Sequence, residues 1–593
     1  MATPRALAMR TMQSGGLGET SGLRARLVLS LIATAGIVAA STSCSLIVDT
    51  NADACTADAE CTVTGQVCSK VADKPSICAP ATCSASAPCK AGSSCVNGAC
   101  VAGMETGCTT TAMCAAQGEN VACRNKKCVH LLSKECTTLY GDYKNDNAVF
   151  FGAILPTTGA DSSTGKAIEN GIQLALDDFN QVAKGLPAAP GSTARRPMVL
   201  VGCSDNGDNM TAVTVAKHLV GDVGVVAIIG GAFSGVTIDI ATTVTIPANV
   251  LLISPSATSV AISDLDDHDL VWRTSPPDSF QAQALTLYMP EIEARVRAEL
   301  SLMTSDKINV AILHKGDAYG KGLATALEQK LMINGLAALD PSNSGNYKRI
   351  DYGNPDDPAA NPTDYPGTVS AMLGFKPHIT LVFGANEGIT DVFSKIEEQW
   401  SAAVPYHSQF IFSDAGEIPE LWEFVGKRDP MDPTLRTRIR GTVPGTANNL
   451  FNAFRSAYAS KYQDGTSAEV FGVAGGYDIV YLLGYSAAGL GANPITGASL
   501  AQRMKKMSSG AKVDVGSANI NSTFLKVTND GSIDFNGASG PLDFDPKTGE
   551  APSDIQIWCI PKAGGKVGSA LNSGYSYSAE QNMLIGKFGP VCN

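Results

Sequence analysis

The sequence has few charged residues and no long apolar run after its first 43 residues. Charged residues are 17% of 593, below the ~25% usual in globular domains. The formal net charge is −12, and an excess of acid repels phosphate backbones and anionic lipid. No later segment approaches the ~20 apolar residues of a membrane span, since the run 223–229 is interrupted by Gly224. Nucleic-acid binding and electrostatic docking on membranes are therefore disfavoured.

Familiar catalytic signatures are absent as well. The sequence contains neither G-x-S-x-G nor H-E-x-x-H, and its six histidines are scattered. Segment 159–167 resembles a phosphate-binding loop, but five residues separate its glycines and Ala167 follows the lysine, where the motif needs four residues and a hydroxyl. The acidic run 264–269 lacks the ligand spacing of an EF-hand. We expect no enzymatic activity, no cofactor and no bound metal.

The amino terminus has the pattern of an export signal. Residues 1–26 contain four arginines and one acid, and an apolar run of 14 residues follows at 27–40. A positive segment, a short apolar stretch and then small residues is the order of a secretory signal. We interpret residues 1–43 as a signal peptide. The alternative is a membrane anchor formed by the same segment.

The residues after that run resemble the lipobox of bacterial lipoproteins, in which small residues precede a lipid-modified cysteine. Here the sequence is Ser41-Thr42-Ser43-Cys44. The resemblance implies lipidation of Cys44 and a lipoprotein that faces the periplasm or the cell exterior. Ser41 stands where the family usually has an aliphatic residue, so cleavage without lipidation is the alternative.

Cysteines divide the chain into two regions, with 14 of the 17 between residues 44 and 136. Twelve of them form three sets of four, and each set opens with C-x5-C. Such small units cannot hold a hydrophobic core, so we expect two disulfides in each, within a lipid-anchored stalk at 44–136. Zinc binding is the alternative, but the C-x2-C knuckles that it favours are missing. The sets are Cys55, Cys61, Cys68, Cys78; Cys83, Cys89, Cys95, Cys100; and Cys108, Cys114, Cys123, Cys128.

Four further cysteines are even in number and could form two bridges. The interpretation pairs Cys559 with Cys592, and Cys136 with Cys203. The second bridge would join the stalk to the domain that follows. Spacing alone does not settle either pairing.

From residue 148 onward, short apolar runs alternate with helical patterns. Ile168, Ile172, Ala175 and Phe179 recur on one helical face. Runs at 148–155, 198–203, 223–229 and 250–254 predict strands, and the rhythm restarts after 273–277 with strands at 308–314, 379–383 and 409–412. The alternation predicts an α/β fold with two doubly wound lobes and a ligand crevice at the carboxyl ends of the strands. Segment 340–366, rich in Pro, Asn, Asp and Gly, predicts a surface insertion.

Between residues 148 and 559 the sequence resembles the type I periplasmic solute-binding proteins of the branched-chain amino acid (Leu/Ile/Val) ABC-transport class. The resemblance implies two lobes, 146–275 with 443–534 and 278–441 with 535–593. They would be joined by three crossings at 274–278, 441–445 and 531–541. The segments that carry the resemblance are GAILPTTGADSSTGKAIENGIQLALDDFN (152–180), VAIIGGAFSGVTIDIA (226–241), LLISPSATS (251–259), VWRTSPPDSFQAQAL (271–285), AILHKGDAYGKGLA (311–324) and GGYDIVYLL (475–483).

The resemblance also implies a binding site for a zwitterion. Ser234 follows one strand, and Ser256, Ala257 and Thr258 follow the next. In the family these positions hold the ligand carboxylate through hydroxyl and backbone donors. Asp414, after a strand of the second lobe, aligns with the acid that receives the ammonium group.

Other readings of these residues stay open. Ser234, Thr258 and Asp414 could be helix N-caps, and Tyr319, which matches an aromatic wall of the site, could pack in the core. Thr164 stands where an aromatic residue often covers the ligand, and Ala385-Asn386 replace another aromatic position. The pocket could therefore be wider or more polar than a leucine site.

The sequence thus predicts an extracytoplasmic lipoprotein that binds an amino acid or a similar small solute by closure of two lobes and presents it to an ABC permease. The alternative is a sensory or surface-interaction lipoprotein, in which the cleft or the cysteine-rich stalk docks a partner without transport.

Overall fold

The computed structural model describes residues 107–189, 191–445, 448–528 and 531–592, together with Cys55 and four short strands before them. It contains two compact units, Met1–Gly107 and Cys108–Asn593. The predicted signal peptide and Cys44 lie outside the described residues.

The described part of the first unit consists of two antiparallel hairpins. Each hairpin places two cysteines opposite each other, Cys68 and Cys78 in one and Cys95 and Cys100 in the other. Cys55 forms a disulfide with Cys68. The strands are β1 (Gln66–Ser69), β2 (Ile77–Pro80), β3 (Ser93–Val96) and β4 (Ala99–Ala102).

The third cysteine set opens the second unit, with a hairpin of β5 (Val121–Arg124) and β6 (Lys127–His130). Its disulfides join first to third and second to fourth cysteine, Cys108–Cys123 and Cys114–Cys128. The sequence groups this set with the stalk, whereas the structure packs it on the large domain. The Arg124 guanidinium donates to the carbonyls of Val223 and Gly224 at 2.7 and 3.0 Å, and Leu131 is fully buried in the adjoining core.

The first sheet has the order β12-β11-β10-β8-β9-β7 and is parallel except for β7. Strands β8 to β12 are wholly buried because helices cover both faces. The strands are β7 (Thr138–Tyr140), β8 (Val149–Leu155), β9 (Met198–Ser204), β10 (Ala227–Gly230), β11 (Leu251–Ser254) and β12 (Val271–Arg273). The helices are α1 (Ser162–Asp177), α2 (Asn209–Lys217), α3 (Ser234–Ile240), α4 (Ile246–Ala248) and α5 (Val260–Ser263).

The second sheet has the order β16-β13-β17-β18-β19-β22-β25-β26. Its first five strands are parallel and its last three antiparallel. The strands of this half of the chain are β13 (Val310–His314), β14 (Met332–Ile333), β15 (Leu336–Ala337), β16 (Tyr347–Asp351), β17 (Ile379–Phe383), β18 (Gln409–Phe412), β19 (Ile439–Pro444), β20 (Ala511–Asp514), β21 (Ile533–Asn536), β22 (Ile555–Cys559), β23 (Lys562–Ala563), β24 (Lys566–Val567), β25 (Leu571–Ser578) and β26 (Met583–Gly586).

Helices surround this sheet and complete the first lobe. None in the described residues is both long and apolar enough to cross a membrane. They are α6 (Asp278–Leu300), α7 (Ala318–Glu328), α8 (Tyr365–Phe375), α9 (Ser394–Gln399), α10 (Pro419–Arg428), α11 (Asn449–Lys461), α12 (Val473–Gly489), α13 (Gly497–Met504) and α14 (Ile520–Val527).

The buried helix α12 packs against α1 of the first lobe. The approach is close because glycine lies at the contact: a Cβ on Gly171 would come within 2.6 Å of the Val473 carbonyl oxygen. The predicted apolar face is fully buried there, with Ile168 in α1 and Phe179 in the π-helical turn that follows it. The prediction of an α/β fold with two doubly wound lobes is confirmed.

The last crossing lies later than the sequence suggests. The Asp478 carboxylate accepts hydrogen bonds from the backbone N–H groups of Ala538 and Ser539 at 2.8 and 2.7 Å. These bonds keep the segment after β21 on the first lobe, and Phe544 packs edge-on against Trp272 with ring centroids 5.3 Å apart. The chain enters the second sheet only at Ile555, where β22 begins.

Two disulfides fasten the large domain, Cys136–Cys203 and Cys559–Cys592. Both are the pairs that the interpretation of the sequence proposed. The first ties the segment after the third cysteine set to β9, and the second ties β22 to the carboxyl terminus.

Candidate functional site

Side chains that follow strands of both sheets line one buried cavity of about 30 Å³, here called the cleft cavity. A single ordered water needs about 10–15 Å³, so in this closed arrangement the cavity has room for about two waters, and the lobes must move apart to admit a larger solute. It lies where ligands bind in doubly wound folds, beyond the carboxyl ends of the strands. Its walls are Thr164, Ala232, Phe233, Ser234, Ser256, Tyr319, Asp414, Ala415, Ile418, Val470 and Phe471.

The first lobe contributes three hydroxyl groups with different bonding states. Ser256 Oγ already donates to the Ala232 carbonyl at 2.7 Å. Ser234 Oγ accepts from the Ser259 N–H at 3.1 Å, which leaves its own proton free to donate. In the described chain no protein group bonds to the Thr164 hydroxyl. Ser234 and Thr164 are therefore the available donors for an anionic group.

Ala257 and Thr258 are buried but do not line the cavity. The Ala257 N–H donates to Ser254 Oγ at 2.9 Å, and its carbonyl accepts from Ser275 Oγ at 2.7 Å. The Thr258 carbonyl accepts from the Asp278 N–H at 2.7 Å. Their backbone groups position the loop after β11.

None of the three suspected N-caps is one. Ser234 is the first residue of α3 and follows the cap residue Phe233. The cap of α5 is Ser259 rather than Thr258, and Asp414 follows Ser413 at the start of a short 3-10 turn. The capping alternative does not account for these side chains.

The second lobe presents Asp414 within a set of fixed donors. Its Oδ1 atom lies 2.6 Å from the Tyr319 hydroxyl and accepts from Gln281 Nε2 at 2.6 Å. Gln281 is held in turn by the Thr442 hydroxyl, which donates to Oε1 at 2.9 Å. In the described residues Oδ2 of Asp414 takes no side-chain hydrogen bond. That oxygen can therefore accept from a ligand.

The electrostatics of this wall are acidic. Burial raises the pKa of Asp414, while hydrogen bonds from Tyr319 and Gln281 partly offset the effect. Burial and the nearby Asp414 charge raise the pKa of Asp278 well above its usual range. A cationic ligand group would relieve the repulsion between these two carboxyls.

Several wall residues were missed from the sequence. Phe233, Ile418 and Phe471 supply apolar surface, and Gln281 orients Asp414. Phe233 directly precedes the predicted Ser234, so its position could have been found from the same motif. Phe471 lies in a loop that turns at Gly472, whose φ of +92° favours glycine.

The seam between the lobes is also highly charged. Lys315 is 1% exposed and forms ion pairs with Asp356 and, at 3.7 Å, with Asp317. Burial opposes its charge, yet these carboxylates raise the pKa of Lys315 well above the usual value. Its ammonium also lies 5.0 Å from the ring centre of Phe233 on the first lobe.

Asp161 faces this cluster from the first lobe. Burial, together with the charge of Glu387, raises the pKa of Asp161 to about 7. Asn386 of the second lobe donates from Nδ2 to the Ala160 carbonyl at 2.8 Å. Ser259 Oγ likewise donates across the seam to the Ala318 carbonyl at 3.0 Å. Such contacts hold the lobes together over the cavity.

One group of possible metal ligands stands close together in the described residues, Cys108, Cys114 and Cys128. All three are engaged in disulfides. A disulfide sulfur is not a thiolate, which is the form that binds zinc, so this group is not a metal site.

Comparison with known proteins agrees with this architecture. Residues 148–387 match the periplasmic binding protein family. A Leu/Ile/Val-binding protein of Rhizobium johnstonii is 30% identical over 193 residues, which are 32% of this chain and 46% of that protein. A Leu/Ile/Val-binding protein homologue of Brucella melitensis is 28% identical over 193 residues, with the same shares. The chain thus spans less than half the length of these curated relatives.

A solved leucine-binding protein from Thermotoga maritima has the same fold. It superposes with a TM-score of 0.51 at 19% identity, and the match covers 72% of this chain and 99% of that chain. The family match at residues 148–387 covers parts of both lobes. Residues that follow strands of both sheets line the cleft cavity. Together these findings show that the large domain has the two-lobed fold of type I periplasmic binding proteins and that residues 148–387 are similar in sequence to the periplasmic binding protein family.

Proposed function

We propose that this protein is an extracytoplasmic lipoprotein that binds an amino acid or a similar small polar solute between its lobes and delivers it to an ABC permease. No bond is made or broken in this function. The ligand contacts both lobes, so it stabilises the closed form over the open one.

The observation that carries the proposal is the pairing of opposed groups in one cavity. Ser234 and Thr164 offer hydroxyl donors from the first lobe, and Asp414 offers a buried acceptor from the second. A zwitterion needs both, an acceptor for its ammonium and donors for its carboxylate. Separate lobes supply the two ends, so binding requires closure.

The apolar part of the wall suits an uncharged side chain. Phe233, Ile418 and Phe471 are apolar and approach the cavity from three different loops. The names of the curated relatives, which are Leu/Ile/Val-binding proteins, support the same class of ligand. We infer an amino acid with an apolar side chain as the first ligand to test.

Calorimetric titration of the purified protein with each common amino acid tests the proposal. We expect saturable binding of at least one apolar amino acid, and its loss in Asp414→Ala. Asp391→Ala removes an exposed acid of the same lobe and should leave binding unchanged. The proposal fails if no amino acid binds, or if Asp414→Ala binds as tightly as the unmodified protein.

The anchor and the permease form a separate part of the proposal. Cys44 follows small residues in the order that supports lipidation. In cells, Cys44→Ala should move the protein from the membrane fraction to the soluble fraction. Normal amino acid uptake in cells without the protein, with binding intact in vitro, would instead favour a sensory role.

A further inference from the structure

A second and larger cavity lies where the three crossings run side by side. It measures about 270 Å³ and is here called the hinge chamber. Thr274 of the first crossing, Val443 of the second and Ser553 of the third all line it. Val470 and Phe471 line both this chamber and the cleft cavity. The two cavities are therefore neighbours.

The hinge chamber contains a buried acid without a partner. Glu417 is only 4% exposed and lines the chamber. No hydrogen bond or ion pair reaches its carboxyl group from any residue that the structure describes. Burial raises the pKa of Glu417 well above its usual value, and the charges of Glu469 and Asp414 add to the effect. A buried carboxyl group in this state is costly unless something else binds it.

The other acid of the chamber is already neutralised. Glu469 accepts from Arg455 Nη1 at 3.0 Å, and Arg455 is partly exposed at the chamber wall. Phe451 and Leu571 provide apolar surface, and Gln556 adds an amide. The chamber thus combines one carboxyl group that lacks a donor among the described residues with walls that are partly apolar and partly polar, the polar part including Asn452, Gln556 and Asn572.

We propose that the hinge chamber is a second small-molecule site, which binds an organic ammonium with a compact apolar body and places the ammonium on Glu417. An apolar cavity of ~150 Å³ can hold a benzene ring, so this chamber has room for a ring and a short amine tail. An ammonium supplies both the charge and the donors that the carboxyl group lacks. Because all three crossings line the site, its occupant also biases the hinge angle of the lobes.

Calorimetry of the full protein with 2-phenylethylamine tests this site, with 2-phenylethanol as the neutral control. We expect the amine to bind and the alcohol to bind at least about 10-fold more weakly, as for loss of one charged hydrogen bond. Glu417→Gln should weaken amine binding by the same factor. Glu423 lies six residues further on, in helix α10, with a side chain 63% exposed, and Glu423→Gln should bind the amine normally.

Two further variants separate this chamber from the cleft cavity. Ser553→Phe fills the chamber from its half-buried rim and should abolish amine binding even if Glu417→Gln does not fold. Asp414→Asn changes the cleft cavity and should retain amine binding. The inference is overturned if the amine does not bind, if the alcohol binds equally well, or if Asp414→Asn loses the amine while Glu417→Gln keeps it. Failure of amino acids to bind in the cleft leaves these outcomes unaffected.

Discussion

The cleft cavity and the hinge chamber each contain one deeply buried carboxyl group, and the two acids are three positions apart in the chain. Asp414 is surrounded by donors fixed on other elements, the Tyr319 hydroxyl and the Gln281 amide, both at 2.6 Å. Glu417 has no such donor among the described residues, although it is 4% exposed. The two acids are almost equally buried, and they differ in the hydrogen bonds that their carboxyl groups accept.

In the cleft cavity the donors to the carboxyl group are in place before a ligand binds, whereas in the hinge chamber the carboxyl group has no donor among the described residues. Fixed donors stabilise the Asp414 carboxylate before any ligand arrives, at no cost of reorganisation. Glu417 has no donor among the described residues, so its hydrogen bonds must come from whatever fills the chamber. The cavities also differ in volume, about 30 Å³ against about 270 Å³. The smaller and prepared cavity suits one selected solute, while the larger suits a range of amines.

The largest predicted effect concerns the stability of the cleft. Asp414→Ala leaves the Gln281 amide buried without its acceptor and leaves the Tyr319 hydroxyl with Ser413 Oγ alone, at 2.6 Å, and should lower the free energy of unfolding by about 2 kcal/mol. Asp414→Asn keeps an acceptor oxygen and should cost about half as much. Urea unfolding followed by tryptophan fluorescence measures both. Equal losses in the two variants would show that the donors are not matched to this oxygen.

Removal of the Glu417 carboxyl group should have the opposite effect and raise the free energy of unfolding at alkaline pH. The pKa of its carboxyl group is raised in the folded protein, so folding holds a proton that the unfolded chain releases above about pH 4.5. Stability contributed by this group is therefore lost as pH rises. Glu417→Met removes the loss and should raise the free energy of unfolding by about 1–2 kcal/mol at alkaline pH, with little effect below about pH 4.5.

The same unfolding experiment across pH checks this second prediction. Glu423→Met, at an exposed position of the helix that follows Glu417, should stay within about 0.5 kcal/mol of the unmodified protein. If Glu417→Met destabilises the protein at every pH, the carboxyl group has a partner and the contrast with Asp414 disappears.

The sequence predicted the buried parts of the fold far better than its edges. The strands at Ile379–Phe383 and Gln409–Phe412 match the predicted bounds because each is a short, mostly apolar run that is wholly buried. By contrast, Tyr347–Asp351 forms edge strand β16 inside the segment expected to be a surface insertion. An edge strand has one neighbour and a half-exposed face, so its polar sequence carries little signal. Strand β25 also escaped prediction because its sequence, LNSGYSYS, is largely polar, although it pairs with a strand on each side.

The candidate site was predictable only where its residues follow strands. The carboxyl ends of parallel strands meet at one edge, so Ser234, Ser256 and Asp414 could be placed there together. Gln281 lies on helix α6 and reaches Asp414 across 133 positions of sequence. Gln281 lies within the segment 271–285 that carries the resemblance, but that segment does not reveal its contact with Asp414, and Glu417 lies in none of the quoted segments. Their roles depend on how helices pack beside the cleft, which local sequence does not encode.

A third buried carboxyl group, that of Asp161, lies at the seam of the lobes. Its pKa of about 7 comes from burial and from the charge of Glu387 on the second lobe. Lobe opening would hydrate Asp161 and lower its pKa towards the usual value, so the closed form binds the proton more tightly. The stability gained on closure by this group is present at low pH and is lost as pH rises through about 7.

Solute affinity should therefore weaken between about pH 5 and pH 8 by on the order of 1 kcal/mol, and Asp161→Asn should flatten this dependence. Calorimetry with the amino acid found to bind measures both. Asp222→Asn removes an exposed acid of the first lobe, whose side chain is 66% exposed, and should keep the full pH dependence. A flat profile in the unmodified protein would show that Asp161 keeps its proton equilibrium when the lobes separate.

We expect the smallest effect from Thr442, whose hydroxyl orients the Gln281 amide that donates to Asp414. The Thr442 hydroxyl donates to Gln281 Oε1, and both residues are buried. Thr442→Val removes this bond, so the amide can rotate and present its oxygen to Asp414. We expect about 0.5–1 kcal/mol weaker binding of the amino acid, or two- to fivefold. Thr437→Val, which removes a hydroxyl bonded to the Thr434 carbonyl near the surface, should have no effect. If Thr442→Val binds normally, Asp414 and Tyr319 alone hold the carboxylate in place, and the prepared state of the cleft rests on fewer groups than the structure connects.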